Sequence, residues 1–336
     1  MGAATIILRP DDPRLTWAGA ISLQRTDEWV MPWRIPYAER ALFPPDALRE
    51  RASMPAGVRI AFRSDTTWLR GAVVPFPEAS NLDLCCDGQL IGSASLDNQD
   101  RFAFDGLPAG DKLVELWLPQ FGDFRLASLE IAAGASIAPA VDNRPRWITY
   151  GSSITQCRTA ASPTRTWPAI VARARNYNLT CLGYGGQCHL DPMIARMIRD
   201  LPADYLSICA GINIYGAASL GPRAFVPALI GFVQILRERH PATPLAILSP
   251  IYSPPRETTP NAVGFTLQAM RDAVAEAVAL LQSRGDQYVH YVDGLRVFGT
   301  DLGHLLPDDL HPSAEGYQIM GQNFLKEVAD VVFMGR

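Results

Sequence analysis

Two patterns of hydrophobic and polar residues divide the chain. Up to about residue 140, short runs of alternating apolar and polar residues are separated by turn residues, which is typical of antiparallel β-structure. From residue 146, short and nearly continuous apolar runs alternate with longer segments of helical periodicity. That second pattern indicates buried parallel strands connected by helices. The chain is therefore predicted to contain an all-β domain, residues 1–140, followed by an α/β domain, residues 146–336.

The first domain is predicted to be a β-sandwich of the jelly-roll type. Residues 58–63 and 68–74 alternate and flank a turn at 64–66, so they are predicted to form a hairpin. Residues 82–86 lead into Asp87-Gly88, a dipeptide that favours a tight turn, and predict a second hairpin.

Two segments lack this alternation. The opening stretch, up to about Pro55, has tryptophans among prolines and charges and is expected to drape over one of the domains. Residues 133–145 are small, contain proline and show no periodicity, so they are predicted to be the linker.

The second domain is predicted to contain a parallel sheet with helices on both sides. Strands are predicted at 147–150, 179–182, 205–209, 245–248 and 288–292. Thr166 can cap a helix to about residue 175, and Ser313 can cap a last helix to about residue 332. Further helices are predicted to start at Asp191-Pro192 and to cover 222–239 and 261–283.

Composition excludes several classes of protein. With 48% hydrophobic and 19% charged residues, the chain is not a disordered one. A net charge of −4 indicates no nucleic-acid partner. No apolar run is long enough to cross a bilayer, so no membrane association is expected. Because the N-terminus lacks a basic start and an apolar core, we expect a cytoplasmic protein with its six cysteines reduced.

The first candidate for chemistry lies where the first strand of the α/β domain ends. Gly151-Ser152-Ser153 follows an apolar run there, and ligands of open α/β sheets bind beyond the carboxyl ends of the strands. A serine at this position is a candidate nucleophile if a histidine can reach it. His311 is the best candidate base because Asp308 precedes it by three positions, a spacing that can bring a carboxylate to the imidazole.

Two more strand ends carry groups that can bind an oxyanion. The segment 183–186, Gly-Tyr-Gly-Gly, can turn backbone N–H groups toward a ligand, and no Lys-Ser or Lys-Thr follows it as a phosphate loop requires. Asn213 follows the third strand, where its amide can donate to a developing negative charge. Ordinary turns explain either segment equally well when it is taken alone.

Together, the four blocks resemble those of the SGNH hydrolases, also called the GDSL esterases and lipases. The resemblance covers about residues 146–330. It implies a three-layer, flavodoxin-like α/β domain with a five-stranded parallel sheet. It also implies a triad of Ser153, His311 and Asp308, and an oxyanion hole made by Ser153, Gly186 and Asn213. No metal ion and no organic cofactor are implied.

The chain departs from the family pattern at three positions. Ser152 stands where the family usually has aspartate, Cys181 lies where asparagine is common, and Ile214 replaces the usual aspartate after Asn213. Ser152 as nucleophile and Asp309 as orienting acid therefore stay open as alternatives. Cys157 and Cys188 are further alternative nucleophiles, since both lie near the serines in sequence.

A β-sandwich ahead of such a domain is similar to carbohydrate esterases of family 2 and to GDSL enzymes of polyketide pathways. The resemblance implies a serine esterase acting on a short-chain or acetyl ester of a small molecule or sugar. An acyltransferase with the same triad is the alternative, and a non-catalytic glycan-binding protein is a second one. The sandwich is expected to pack on the catalytic domain rather than to bind sugar. Candidates to line the substrate cleft are Trp33, Arg158, His189, Tyr215 and Tyr252.

Overall fold

The computed structural model describes residues 5–334, which form two compact units. The first takes in the residues up to Arg144 together with 161–164 and 178–180. The second takes in 145–160, 165–177 and the residues from Cys181 onward. We retain 1–140 and 146–336 as the proposed limits of the domains.

The first unit is built from two antiparallel sheets of six strands each. Its strands are β1 (Thr5–Leu8), β2 (Thr16–Ala18), β3 (Ser22–Arg25), β4 (Val30–Trp33), β5 (Arg59–Ser64), β6 (Trp68–Val73), β7 (Leu82–Cys86), β8 (Gln89–Ala94), β9 (Arg101–Asp105), β10 (Lys112–Trp117), β11 (Leu126–Ala132) and β12 (Ile137–Pro139). One sheet has the order β3-β4-β11-β6-β9, with β1 beside β11. The other has the order β12-β5-β10-β7-β8, with β2 beside β5.

Alternation along the strands produces the core of this unit. In β9, Phe102 and Phe104 are buried while the residues on either side are exposed, as a strand with one solvated face requires. Side chains of both sheets, such as Leu69 of β6 and Leu116 of β10, belong to one apolar cluster. The predicted β-sandwich is confirmed.

One predicted hairpin is correct and the other is wrong. β7 and β8 pair around Asp87 and Gly88, whose φ angles of 46° and 78° are both left-handed, as the tight turn requires. In contrast, β5 pairs with β10, while β6 pairs with β11 and β9 in the other sheet. The alternating pattern identified two strands correctly, but a strand that buries one face does not specify its partner.

The segments predicted as draping and linking also contain strands. The opening stretch does not drape over a domain but supplies β1 to β4, followed by helix α1 (Asp46–Ser53). Arg34 is fully buried and donates to the carbonyl oxygen of Met54 at the end of α1. Within the predicted linker, β12 pairs with β5. These strands have three or four residues, which is too short for a periodic pattern to stand out.

A five-stranded sheet has the order β14-β13-β15-β16-β17, and all of it except residues 178–180 of β14 belongs to the second unit. The strands are β13 (Arg146–Gly151), β14 (Asn178–Gly183), β15 (Tyr205–Cys209), β16 (Leu245–Leu248) and β17 (Val289–Val292). Each lies within a residue or two of its predicted position. In chain order the sheet reads 2-1-3-4-5, which is the flavodoxin-like arrangement and confirms the predicted fold.

Helices accompany the sheet in two groups, since α3 packs on α9 while α6 packs on α4 and α7. The helices are α2 (Ser153–Gln156), α3 (Trp167–Arg175), α4 (Pro192–Asp200), α5 (Ile212–Ala217), α6 (Pro222–Arg237), α7 (Leu267–Ser283), α8 (Gly294–Val297) and α9 (Ala314–Phe324). A π-helical segment, Leu325–Phe333, continues α9. Thr166 and Ser313 cap α3 and α9 as predicted. Among residues 5–334, no helix has the length and apolar character needed to span a membrane.

The start of α7 was predicted six residues too early, at 261 instead of Leu267. Asn261 is a turn residue whose side-chain oxygen accepts the N–H groups of Val263 and Phe265 at 3.1 and 2.9 Å. Thr266 then caps the helix through the N–H of Ala269. The asparagine side chain thus satisfies backbone donors that would otherwise favour a helix.

Candidate active site

The site begins at a tight turn from β13 into α2. Gly151 ends the strand, and a Cβ atom there would lie 2.1 Å from the side-chain oxygen of Thr155, so no larger residue fits. Ser152 is buried, and its hydroxyl accepts the N–H of Ile154 at 3.2 Å as the cap of α2. Ser153 is the first residue of α2 and is half-buried. The two serines therefore differ in environment, and Ser153 is the accessible one.

His311 joins Ser153 to Asp308. Its Nε2 lies 2.8 Å from the Ser153 Oγ, and its Nδ1 lies 2.6 Å from the Asp308 Oδ2. The other oxygen of Asp308, Oδ1, accepts the backbone N–H groups of His311 and Leu310 at 2.7 and 3.1 Å. The structure thus brings together the three residues of the predicted triad, in the geometry that proton transfer from a serine requires.

Electrostatics set the tautomer of His311. Burial raises the pKa of Asp308, but hydrogen bonds from the His311 side chain and backbone outweigh this, so its pKa lies below the usual range. An ionised carboxylate only accepts hydrogen bonds, so Nδ1 must carry the proton. In the neutral imidazole, Nε2 then has a lone pair that can accept the hydroxyl proton of Ser153.

Donors for an oxyanion come from three strand ends. Gly186 has a left-handed φ of 73°, and its N–H has no protein acceptor within residues 5–334. The N–H of Ser153 at the start of α2 is likewise free in the described chain. The Asn213 Oδ1 accepts the N–H of Cys188 at 3.0 Å, so the two amide hydrogens on Nδ2 point away from that bond. The role of Ser153, Gly186 and Asn213 as an oxyanion hole stays a prediction.

Gln156 links two of these blocks and was not predicted from the sequence. It is buried, and its side-chain oxygen accepts the N–H of Gly185 at 2.9 Å. This bond ties the glycine-rich loop after β14 to the helix that carries Ser153. Its position one helical turn after Ser153 is the only signal in the sequence that could have suggested it.

His189 links the glycine-rich loop after β14 to the segment between α5 and α6. Nε2 lies 3.0 Å from the Gly186 carbonyl oxygen, and Nδ1 lies 2.8 Å from the Ser219 hydroxyl. Since a carbonyl oxygen only accepts, Nε2 is the donor to Gly186. His189 was predicted to line the substrate cleft, and this role stays a prediction.

The other candidates for the substrate cleft differ in exposure. Trp33 lies on β4 of the first unit and donates to the side-chain oxygen of Gln24 at 3.1 Å. Tyr215 is only 9% exposed, and its hydroxyl donates to the carbonyl oxygen of Thr259 at 2.9 Å. Arg158 is exposed and Tyr252 is half-buried. Their roles in substrate binding also stay predictions.

The structure shows the surroundings of the alternatives that the sequence left open. Burial raises the pKa of both Cys157 and Cys188, which disfavours the reactive thiolate. Asp309 has a left-handed φ of 60°, and its carbonyl oxygen accepts the Ser253 hydroxyl. At the position where the family usually has aspartate, Ile214 is fully buried, so an apolar contact replaces a polar support there.

No group of three or more histidine, cysteine or acidic side chains within residues 5–334 could hold a metal ion.

Comparisons with protein families match both parts of the chain. Residues 145–329 match the model of the GDSL-like lipase/acylhydrolase family. Residues 15–127 match the model for the N-terminal domain of SsfX3. The comparison with curated proteins gave no match.

Solved structures are similar to the chain over almost its whole length. The salicylyl-acyltransferase SsfX3 from a tetracycline biosynthetic pathway has 40% sequence identity and a TM-score of 0.90, over 97% of each chain. A protein described as a GDSL-like lipase from Bacteroides ovatus has 19% identity and a TM-score of 0.79, over 98% of each chain. A family two carbohydrate esterase from Cellvibrio japonicus has 14% identity and a TM-score of 0.66, also over 98% of each chain. At such low identity the last two are evidence for the fold only.

Proposed function

The chain belongs to the GDSL-like lipase/acylhydrolase family, and from this premise we propose that it transfers acyl groups through an acyl-enzyme on Ser153. The observation that best supports the proposal is the continuous set of bonds from Ser153 through His311 to Asp308, of 2.8 and 2.6 Å. A serine so placed gains a base and an orienting acid together.

In the proposed acylation, His311 accepts the proton of Ser153 as Oγ attacks the ester carbonyl. The negative charge that forms on the carbonyl oxygen is stabilised by the N–H groups of Ser153 and Gly186 and by the Asn213 amide. His311 then gives the proton to the leaving alcohol, and Asp308 stabilises the transient imidazolium. In the proposed deacylation, His311 takes a proton from water or an acceptor alcohol as its oxygen attacks the acyl carbonyl, and the proton then passes to the Ser153 Oγ as the C–O bond to Ser153 breaks.

We propose hydrolysis as the fate of the acyl group, with a short-chain or acetyl ester of a small molecule or sugar as substrate. The test is turnover of a short nitrophenyl ester by the Ser153→Ala variant, which should lose activity. Ser152→Ala is the matched control because it removes the neighbouring hydroxyl and costs only a helix cap, about 1 kcal/mol of stability. Undiminished turnover by Ser153→Ala would contradict the proposal.

A second candidate function is transfer of the acyl group to a small-molecule hydroxyl. It is favoured by the relative at 40% identity, which is itself described as a salicylyl-acyltransferase. The same residues serve, and only the acceptor differs. The test is to add alcohols of increasing size to the acylating ester and to follow the products by mass spectrometry. Ester products at low alcohol concentration support transfer, and free acid alone supports hydrolysis.

A non-catalytic glycan-binding protein is the remaining alternative. Labelling by a fluorophosphonate probe separates it from both enzymes, because the probe needs an activated serine. Labelling of the wild type but not of Ser153→Ala would exclude the binding protein. An unlabelled wild type would support it.

A further inference from the structure

We propose that Ser253 and Arg256 are positioning residues. By donating hydrogen bonds to the backbone carbonyl oxygen of Asp309, they hold the side chains of Asp308 and His311 in place relative to each other. The inference rests on the proposed function, since it concerns how the triad is held. Both residues lie in the loop between β16 and α7, which the sequence did not connect with the triad.

The loop that carries the triad acid needs support. The side chain of Asp308 is 54% exposed. Within the described chain, its carboxylate is bonded only to Leu310 and His311, which belong to the same loop. These bonds set the local shape of the loop but do not fix it to the rest of the unit.

The next residue adopts a conformation that side chains disfavour. Asp309 has a φ of 60°, in the left-handed region, which residues other than glycine adopt rarely and aspartate more readily than most. This turn lets the Asp308 carboxylate fold back onto the backbone and ring of His311. A strained residue persists only when its surroundings hold it in place.

The carbonyl oxygen of Asp309 is held by two donors. The Ser253 hydroxyl donates to it at 2.6 Å, and Nη1 of Arg256 donates to it at 3.1 Å. The same Nη1 also lies 2.8 Å from the Ser253 Oγ. Ser253, Arg256 and the carbonyl therefore form a closed triangle, which restricts the peptide group more than one bond would. Ser253 is buried, so water does not compete for its bond.

The triangle is itself anchored in the protein interior. The side chain of Glu257 accepts the N–H of Ser253 at 3.1 Å and pairs with Arg271 of α7. The side chains of Glu257 and Arg271 are 13% and 8% exposed, so this ion pair is shielded from solvent. Arg271 also donates to the carbonyl oxygen of Pro250 at 3.2 Å. Through Glu257 and Arg271, the residues that bind the Asp309 carbonyl are thus connected to α7 and to the segment that follows β16.

The test compares Arg256→Met and Ser253→Ala with the wild type on a short nitrophenyl ester. We expect kcat to fall about 10- to 100-fold, as small misplacements of catalytic groups do, while KM stays the same. Arg256→Lys should recover part of the loss, since lysine can still donate to a carbonyl. Arg237→Met is the control: Arg237 also donates to two backbone carbonyls, those of His240 and Thr243, and it pairs with Asp286, but none of these groups belongs to the loop that carries the triad acid. It should retain wild-type kcat.

A second readout reports on the pair directly. The proton between the His311 Nδ1 and the Asp308 carboxylate should give a downfield proton resonance in the resting protein. We expect it to broaden in Arg256→Met and Ser253→Ala but not in Arg237→Met. Wild-type kcat and an unchanged resonance in folded Arg256→Met would overturn the inference. If Ser153→Ala retained turnover, the proposed function would be wrong. The proton resonance would still test whether Ser253 and Arg256 position Asp308 and His311.

Discussion

The side-chain oxygen of Asn213 accepts the backbone N–H of Cys188 at 3.0 Å. This bond joins the start of α5 to the loop after β14, and it decides which way the amide faces. With the oxygen occupied, only the nitrogen can be presented to a ligand. The orientation of the proposed oxyanion donor is therefore set before any substrate binds, which is the preorganisation that the proposed mechanism requires.

Asn213→Asp should test this relationship with almost no change in shape. The carboxylate can still accept the N–H of Cys188, but its other atom becomes an acceptor that repels an oxyanion. We expect kcat to fall by about 10²–10³-fold, measured on a short nitrophenyl ester. Asn176→Asp is the control, since it makes the same change at the exposed end of α3. Equal losses in both variants would mean that charge alone is responsible.

Two glycines of the loop after β14 should respond differently to alanine. At Gly186 a Cβ would meet nothing within 4 Å, but the φ of 73° is left-handed. Gly186→Ala should therefore cost about 1–2 kcal/mol of stability and lower kcat, because relaxation of the strain moves the donor N–H.

At Gly183 a Cβ would lie 2.4 Å from the backbone nitrogen of Gln156. Gly183→Ala must push β14 away from α2, a change that typically costs about 1–3 kcal/mol or more. Chemical denaturation measures both variants. A Gly183→Ala variant as stable as the wild type would contradict the close approach of the two backbones.

His189→Ala separates two roles for this histidine. If the ring mainly holds the Gly186 carbonyl, its loss should lower kcat about tenfold through misplacement of the neighbouring N–H, with KM unchanged. If instead His189 binds substrate, KM should rise while kcat holds. We expect the first result, because both ring nitrogens are already bonded within the protein. Ser219→Ala, which removes one of these bonds, should show a weaker form of the same effect.

Asp191→Asn should stabilise the protein at neutral pH. Burial raises the pKa of Asp191 above its ordinary value of 3.8, although His189 opposes the shift. A carboxyl with a raised pKa is costly once ionised, so the wild type is penalised above that raised pKa. The advantage of asparagine should shrink as the pH falls and vanish below about 3.8, where the carboxyl is protonated in both folded and unfolded states.

Asp204→Asn should change the stability of the protein at neutral pH in the opposite direction. Hydrogen bonds from the Arg146 side chain and backbone lower the pKa of Asp204 despite some burial. Its ionised form therefore stabilises the fold above its ordinary pKa, and this is lost as the pH falls through the lowered value. The effect should be small because the side chain is 43% exposed. Thermal unfolding across pH measures the stability of both variants. Changes of melting temperature with the same sign in both would contradict the opposite pKa shifts of Asp191 and Asp204.

Local signals determined much of the fold. The five strands of the parallel sheet are short apolar runs, and burial on both faces makes such runs visible in sequence. The Asp87-Gly88 turn was equally readable, since its two left-handed φ angles favour those residue types. The pairing of strands in the first unit could not be predicted from the sequence. Strands β5 and β6 follow one another but enter different sheets, because the partner of a strand depends on which surfaces pack together.

The candidate site likewise contains some residues that the sequence could identify and others that it could not. Ser153, Gly186, Asn213, Asp308 and His311 could be named from the sequence because each lies in a short block at a strand end. Gln156, Ser253 and Arg256 could not, since they act on backbone groups that are distant along the chain: Ser253 reaches a carbonyl 56 residues away. Sequence by itself determined which side chains are the candidates for chemistry. Only the tertiary structure decided what holds them, because a backbone N–H or carbonyl is the same at every position until the fold selects its partner.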